Sequence, residues 1–220
     1  MLLPMILGIK WMDPEWLLQQ FHNEFVWLVL VIIFVECGLF FPFLPGDTLL
    51  FAVGLFVATG KLDYIPGPDL LELAVGLGVL TGAAFLGNVT GYEIGRGLGH
   101  RIRNHDGKIM KKKYLDKTDE FFDRHGSKAL VIGRFVPFVR TYITLVAGVT
   151  RMKRQVFFVW SGIGAVAWVC SLMLIGYGLG QTFPSLGKYI DLVTYGLLAV
   201  TVVGLAYEIW KKRQENHKQG

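Results

Sequence analysis

Between Val156 and Ser185 the chain carries no Asp, Glu, Lys or Arg, and between Leu73 and Tyr92 it again carries none. About 20 apolar residues span the hydrocarbon core of a bilayer, so both runs are read as membrane spans. With 53% of its 220 residues apolar, a single domain of this size could not hide that surface in water. The formal net charge is +5, but the bases gather between Arg96 and Lys128, at Arg151 to Arg154, and from Lys211 onward. They flank apolar runs, which is the pattern of topology control, so no nucleic-acid partner is expected. Cys37 and Cys170 are far apart inside apolar runs and read as free thiols. The first residues lack the basic start and cleavage site of a signal peptide.

The remaining segments follow from breakers and charge. Residues 13–23 mix Trp16, Leu17 and Phe21 with polar residues behind Asp13 and Pro14, which suits an interfacial amphipathic helix, although a plain connector fits nearly as well. Residues 25–60 hold only two charged side chains, Glu36 and Asp47, and are interrupted by Pro42, Pro45 and Gly46. Such a break cannot continue a regular helix. At membrane depth it is tolerated only inside protein or beside a wet cavity, so this stretch reads as a re-entrant hairpin, the alternative being one tilted span plus a short interfacial helix. Residues 70–98 form a span in which Gly87, Gly91 and Gly95 share one face, suited to internal packing or a homodimer equally. Residues 100–128 form a basic cytoplasmic loop, with a short helix expected near 117–125.

Residues 129–150 are one span long, but Arg134, Pro137 and Arg140 interrupt them and both flanks are basic. The positive-inside rule puts both ends in the cytoplasm, which makes this a second re-entrant hairpin. Residues 155–181 then lead outward, 186–210 return, and 211–220 form a cytoplasmic tail. Working backward, the first hairpin opens outward and Met1 lies outside. The two halves also look alike: Val136-Pro137-Phe138-Val139 resembles Phe41-Pro42-Phe43-Leu44, and Gly95-Arg96-Gly97-Leu98-Gly99 resembles Gly176-Tyr177-Gly178-Leu179-Gly180. The expected fold is therefore all-α and integral to the membrane. It is an inverted repeat of hairpin plus span, with an added C-terminal span and an N-terminal interfacial helix. Inverted repeats with broken helices place a transport site where the breaks meet.

Glu36, Asp47, Arg134 and Arg140 carry the chemistry. A charge at mid-bilayer costs roughly 2.5–3.5 kcal/mol on insertion scales, so four must neutralise one another around a wet pocket if the hairpin tips meet. A purely structural ion-pair cluster would place the same residues there, yet desolvation makes buried pairs poor stabilisers. Arg134 and Arg140 straddle Pro137 and suit phosphate oxygens, which Arg binds in planar, bidentate geometry. Backbone amides freed by the break could join them. Glu36 and Asp47 could titrate, releasing protons as the phosphate arrives and coupling transport to the proton gradient.

These residues resemble those of the DedA (SNARE-associated, VTT-type) family: Glu36 with Pro45-Gly46-Asp47, Gly91-Tyr92 with Gly95-Arg96, and above all Gly133-Arg134-Phe135-Val136-Pro137 with Arg140-Thr141 and Ala147-Gly148. The resemblance runs from about Phe25 to Tyr207. It implies an inverted-repeat fold with two re-entrant hairpins in a bacterial cytoplasmic membrane. It also implies lipid transport: return of undecaprenyl phosphate between leaflets driven by the proton motive force, or movement of phospholipids such as phosphatidylethanolamine. The family's functional acids and arginines match Glu36, Asp47, Arg134 and Arg140, and Tyr92, Arg96 and Asn88 are secondary candidates. Many members carry Asp where this chain has Asn88, and Pro where it has Thr144. The five histidines, His22, His100, His105, His125 and His217, all lie outside the spans. An enzyme, a metal site or a cofactor is therefore not expected, and the main non-lipid rival is a proton-coupled small-ion antiporter.

Overall fold

The structure, a computed structural model, describes residues 13–39, 44–104, 122, 124–135 and 137–183, and all regular structure among them is helical. The expected span at 186–210, the tail at 211–220, most of the basic loop and Pro42 lie outside the described residues. Helix α1, Pro14–Phe21, starts where the sequence signals it: the Asp13 carboxylate accepts the Glu15 and Trp16 amides, and proline opens the first turn. Glu15 then pairs with Lys61 at 2.7 Å, tying α1 to the loop that follows α3.

The stretch 25–60 is two short helices, α2 (Phe25–Gly38) and α3 (Gly46–Ala58), of 14 and 13 residues. At 1.5 Å per residue each is about 20 Å long, short of the roughly 30 Å hydrocarbon core. Helix α3 is apolar all round and enclosed by protein, with Leu49, Leu50, Val53 and Phe56 fully buried. It ends in a left-handed turn at Gly60 (φ +63°), where the Lys61 amide reaches back to the Phe56 carbonyl and the Thr59 hydroxyl caps Leu55. Beyond this turn the Tyr64 amide donates to the Glu72 carboxylate. Burial and that carboxylate push the Tyr64 hydroxyl up to about 12, so it stays a donor, here to the Glu72 carbonyl.

Helix α4 spans Asp69–Asn104 and α7 spans Arg154–Thr182. Both contain a stretch long and apolar enough to cross a bilayer, of which only about a third is buried (39% in α4 and 33% in α7). The outward faces carry Val79 and Leu86 on α4 and Val159, Ile163, Val166 and Leu174 on α7. Exposed apolar faces of this kind need lipid, not water, around them. Helix α4 runs six residues past the end expected at Leu98, because its glycines are isolated among helix formers. The loop expected from residue 100 accordingly begins later.

The second broken segment comprises α5 (Ala129–Ile132), a 3₁₀ turn at Gly133–Phe135, and α6 (Pro137–Val149). Pro137 opens α6, the one helical position where its missing N–H costs nothing. The end of α6 repeats the chemistry at the end of α3. The Thr150 hydroxyl caps Val146, Arg151 turns left-handed (φ 54°), and the Met152 amide reaches Ala147.

The helices pack crosswise. Helix α3 lies on α7 and α6 lies on α4, so the second arm of each broken segment packs on the long helix of the other half. Glycines allow the approach. A Cβ at Gly54 would overlap the Met173 carbonyl of α7, and one at Gly176 would overlap the Phe51 carbonyl of α3. Likewise, a Cβ at Gly148 would overlap the Tyr92 carbonyl and one at Gly95 the Leu145 carbonyl. Gly87 is also taken up inside, against the Phe34 carbonyl and the Cys37 side chain of α2. Gly87 and Gly95 therefore serve internal packing and are not available to a dimer face.

Candidate functional site

The two breaks bring three of the four membrane charges into one cluster. Glu36 stands near the end of α2, Asp47 in the first turn of α3, and Arg140 in the first turn of α6. The Arg140 guanidinium donates to both Asp47 oxygens at 2.6 and 2.7 Å and, through its other terminal nitrogen, to Glu36 Oε1. One planar cation thus joins the two halves, a geometry that suits Arg and not Lys. The Glu36 side chain is buried, whereas Asp47 is 43% exposed and opens the cluster to its surroundings.

Arg134 takes no part in this network. It is buried at the 3₁₀ turn, and among the described residues no carboxylate lies within salt-bridge range of it. Its neighbours are the Cys37 thiol and the Trp168 ring, 5.5 Å from its Cζ. The structure therefore separates two arginines that the sequence treats alike: Arg140 is locked between acids, and Arg134 is a buried cation beside them.

Trp168, in the middle of α7, was not among the residues singled out in the sequence. Its indole N–H donates to Asp47 Oδ1 at 2.8 Å, and its ring lies 5.4 Å from the Arg140 Cζ. It therefore touches Arg134, Arg140 and Asp47. The available signal was a tryptophan, whose N–H wants a partner when buried, at the centre of an otherwise uncharged run.

The breakers have distinct places. Pro45 precedes α3, and Gly46 is its first residue. A Cβ at Gly46 would occupy the position of Glu36 Oε2, so glycine is required there by the carboxylate. A Gly46→Ala variant should fold, because the obstructing group is a side-chain end, but should displace Glu36 from Arg140. The expected result is a lowered melting temperature in a protein that still folds, because a displaced Glu36 leaves a buried carboxylate without its cation. An unchanged melting temperature would mean that the Glu36–Arg140 contact is dispensable.

The secondary candidates lie away from the ion cluster. The Tyr92 hydroxyl donates to the Met152 carbonyl at 2.5 Å and accepts from Arg96 at 2.8 Å, while its ring stacks on Phe157 at 4.2 Å. These contacts make Tyr92 and Arg96 a clamp between α4, α7 and the end of α6. Asn88, one turn earlier, is buried with no partner for its amide nitrogen among the described residues.

The VTT domain family matches residues 44–178, which hold Asp47, Arg134, Arg140 and Trp168 but not Glu36. Protein DedA of Escherichia coli K12 is 34% identical over 189 residues, covering 85% of this chain and 83% of that protein. Inner membrane protein YqjA of the same strain is 34% identical over 226 residues, covering 98% of both chains. The uncharacterized membrane protein Rv0364 of Mycobacterium tuberculosis is 36% identical over 182 residues, covering 80% of this chain and 74% of that one. No solved structure matches the chain. A domain match over most of the described residues, full-length relatives and lipid-facing helices together place the chain among the membrane proteins of the DedA family.

Proposed function

We propose that this protein is a transporter, not an enzyme, and that it moves a phosphate-bearing lipid head group across the membrane. The observation that carries this reading is Arg134, a buried guanidinium beside the Glu36–Arg140–Asp47 cluster with no acid of its own among the described residues. A permanent cation held out of water needs an anion, and guanidinium geometry favours phosphate oxygens. Undecaprenyl phosphate is the substrate that the family resemblance suggests. The crosswise packing, the reciprocal glycines and the matching caps of α3 and α6 support an inverted repeat of two re-entrant hairpins. Charge placement supports a cytoplasmic C-terminus in a bacterial inner membrane.

Proton coupling follows from charge balance. With all four groups ionised the site is neutral, and a phosphate monoanion adds one negative charge. A proton taken up by Glu36 or Asp47 restores neutrality, so proton and phosphate travel together. This reverses the sequence-based expectation of proton release on phosphate arrival, because the arriving anion brings a negative charge that a proton offsets.

The test is movement of undecaprenyl phosphate between leaflets of liposomes, with and without an imposed pH gradient. Wild type should be accelerated by the gradient. Glu36→Gln and Asp47→Asn should lose that acceleration. Full gradient-driven movement in both variants overturns the coupling. Failure of wild type to move this lipid while it moves phosphatidylethanolamine or a small ion reassigns the substrate.

A further inference from the structure

Four buried polar atoms lack a hydrogen-bond partner among the described residues: Glu36 Oε2, Asn88 Nδ2, Thr144 Oγ1 and Ser161 Oγ. They come from four different helices, and native proteins rarely leave such groups unpaired without water or a ligand. The packing brings three of them, Glu36, Asn88 and Ser161, to one region. Gly87, next to Asn88, packs on Cys37, next to Glu36. Cys37 lies beside Arg134. On α7, a Cβ at Gly164 would stand 3.2 Å from Arg134 Cδ, and Ser161 is one turn before Gly164.

Helices α4 and α7 run antiparallel here, with Tyr92 stacked on Phe157 at 4.2 Å and Phe85 against Gly162 and Phe158. That register sets Asn88, one turn before Tyr92, opposite Ser161, one turn after Phe157. Both residues are only 1% exposed. No hydrogen bond joins them, and both the Asn88 amide nitrogen and the Ser161 hydroxyl are left without a partner among the described residues.

We infer that Asn88 and Ser161 are neutral donors of an oxyanion pocket whose cation is Arg134, and that they hold non-bridging oxygens of a phosphate monoester. This deepens the phosphate reading above and rests on it. An amide N–H and a hydroxyl add no charge, so they can hold phosphate oxygens without altering the charge balance of the site. Without phosphate, water would satisfy them, and a phosphate oxygen would replace that water on binding.

The experiment is binding to the purified full chain in detergent, with geranyl phosphate as the probe and geraniol and inorganic phosphate alongside. Wild type should bind geranyl phosphate and not geraniol. Ser161→Ala and Asn88→Leu should each weaken binding roughly tenfold or more, because each removes a hydrogen bond to a charged group. Their melting temperatures should hold or rise without probe, since an unpartnered polar atom has been removed. Ser161→Ala, the smaller change, decides the matter if Asn88→Leu misfolds. Wild-type affinity in both variants, with binding lost in Arg134→Gln, overturns the donors and leaves the phosphate site standing. A fall in melting temperature to match the fall in binding also overturns them, by assigning a structural water. No binding by wild type removes the phosphate reading and this inference together. Equal binding of inorganic phosphate, with the same losses in the variants, supports the donors and names the free anion as their ligand.

Discussion

Arg134→Gln is expected to keep the fold and lose transport, whereas Arg140→Gln is expected to lose both. Removing Arg140 strips the partner from two carboxylates at once. Breaking a buried pair from one side costs about 3–5 kcal/mol. The lower end applies here, because Asp47 is 43% exposed and can rehydrate, while Glu36 stays buried without compensation. Arg134 forms no direct ion pair among the described residues. Its loss forfeits the contact with the Trp168 ring, worth on the order of 1 kcal/mol, and relieves the desolvation of a buried cation. The two nearly cancel. Transport should nonetheless fall about 10- to 100-fold, the range set by a lost charge-assisted hydrogen bond. Melting temperature in detergent and undecaprenyl phosphate movement in liposomes, at matched folded protein, separate the two variants. Equal destabilisation would mean that Arg134 balances an acid as Arg140 does, and the reading of Arg134 as the head-group cation would fall. Arg140→Lys should recover part of the stability and little of the transport, because an ammonium cannot present the planar fork that spans Asp47 and Glu36.

The sequence made the membrane charges legible because an ionisable residue inside an apolar run is costly and therefore conspicuous. Prolines and glycines likewise marked where α2, α3 and α6 stop and start. What one dimension could not give was the division of labour. Which arginine meets which acid depends on how far α6 reaches over the start of α3, and that is set by helix register across the bundle, not by spacing along the chain. Trp168 escaped for a related reason. An indole in a span usually reads as apolar, and only its hydrogen bond to Asp47 shows the polar role. Asn88 and Thr144 were visible only as departures from the family pattern. Their lack of partners is a property of the space between helices. The overlong α4 is the reverse case, where local helix propensity outran the glycines taken as a terminus.

Gly95→Ala and Gly176→Ala should destabilise the protein to similar degrees, while Gly97→Ala and Gly178→Ala should not. At Gly95 and Gly176 the new methyl meets a backbone carbonyl of the crossing helix, Leu145 in one half and Phe51 in the other. A backbone carbonyl cannot swing aside as a side chain can, so the helices must part. Overpacking of this kind costs about 1–3 kcal/mol. At Gly97 and Gly178 nothing lies within 4 Å of the added Cβ, and alanine in a helix interior gains up to about 1 kcal/mol over glycine. Each control sits two residues from its test position, so general effects of helix propensity and lipid contact cancel in the comparison. Melting temperatures of the four purified variants in detergent decide it. The consequence reaches the site, because the α3–α7 contact that Gly176 permits also holds Asp47 against Trp168, and the α4–α6 contact that Gly95 permits positions the helix bearing Arg140. Both test variants should therefore lose transport beyond what their stability explains. Matched losses would indicate that the halves are equivalent units clasping one ion cluster. Destabilisation confined to one of them would mean that the likeness of the two Gly-x-Gly-Leu-Gly segments is not carried into how the halves are held together.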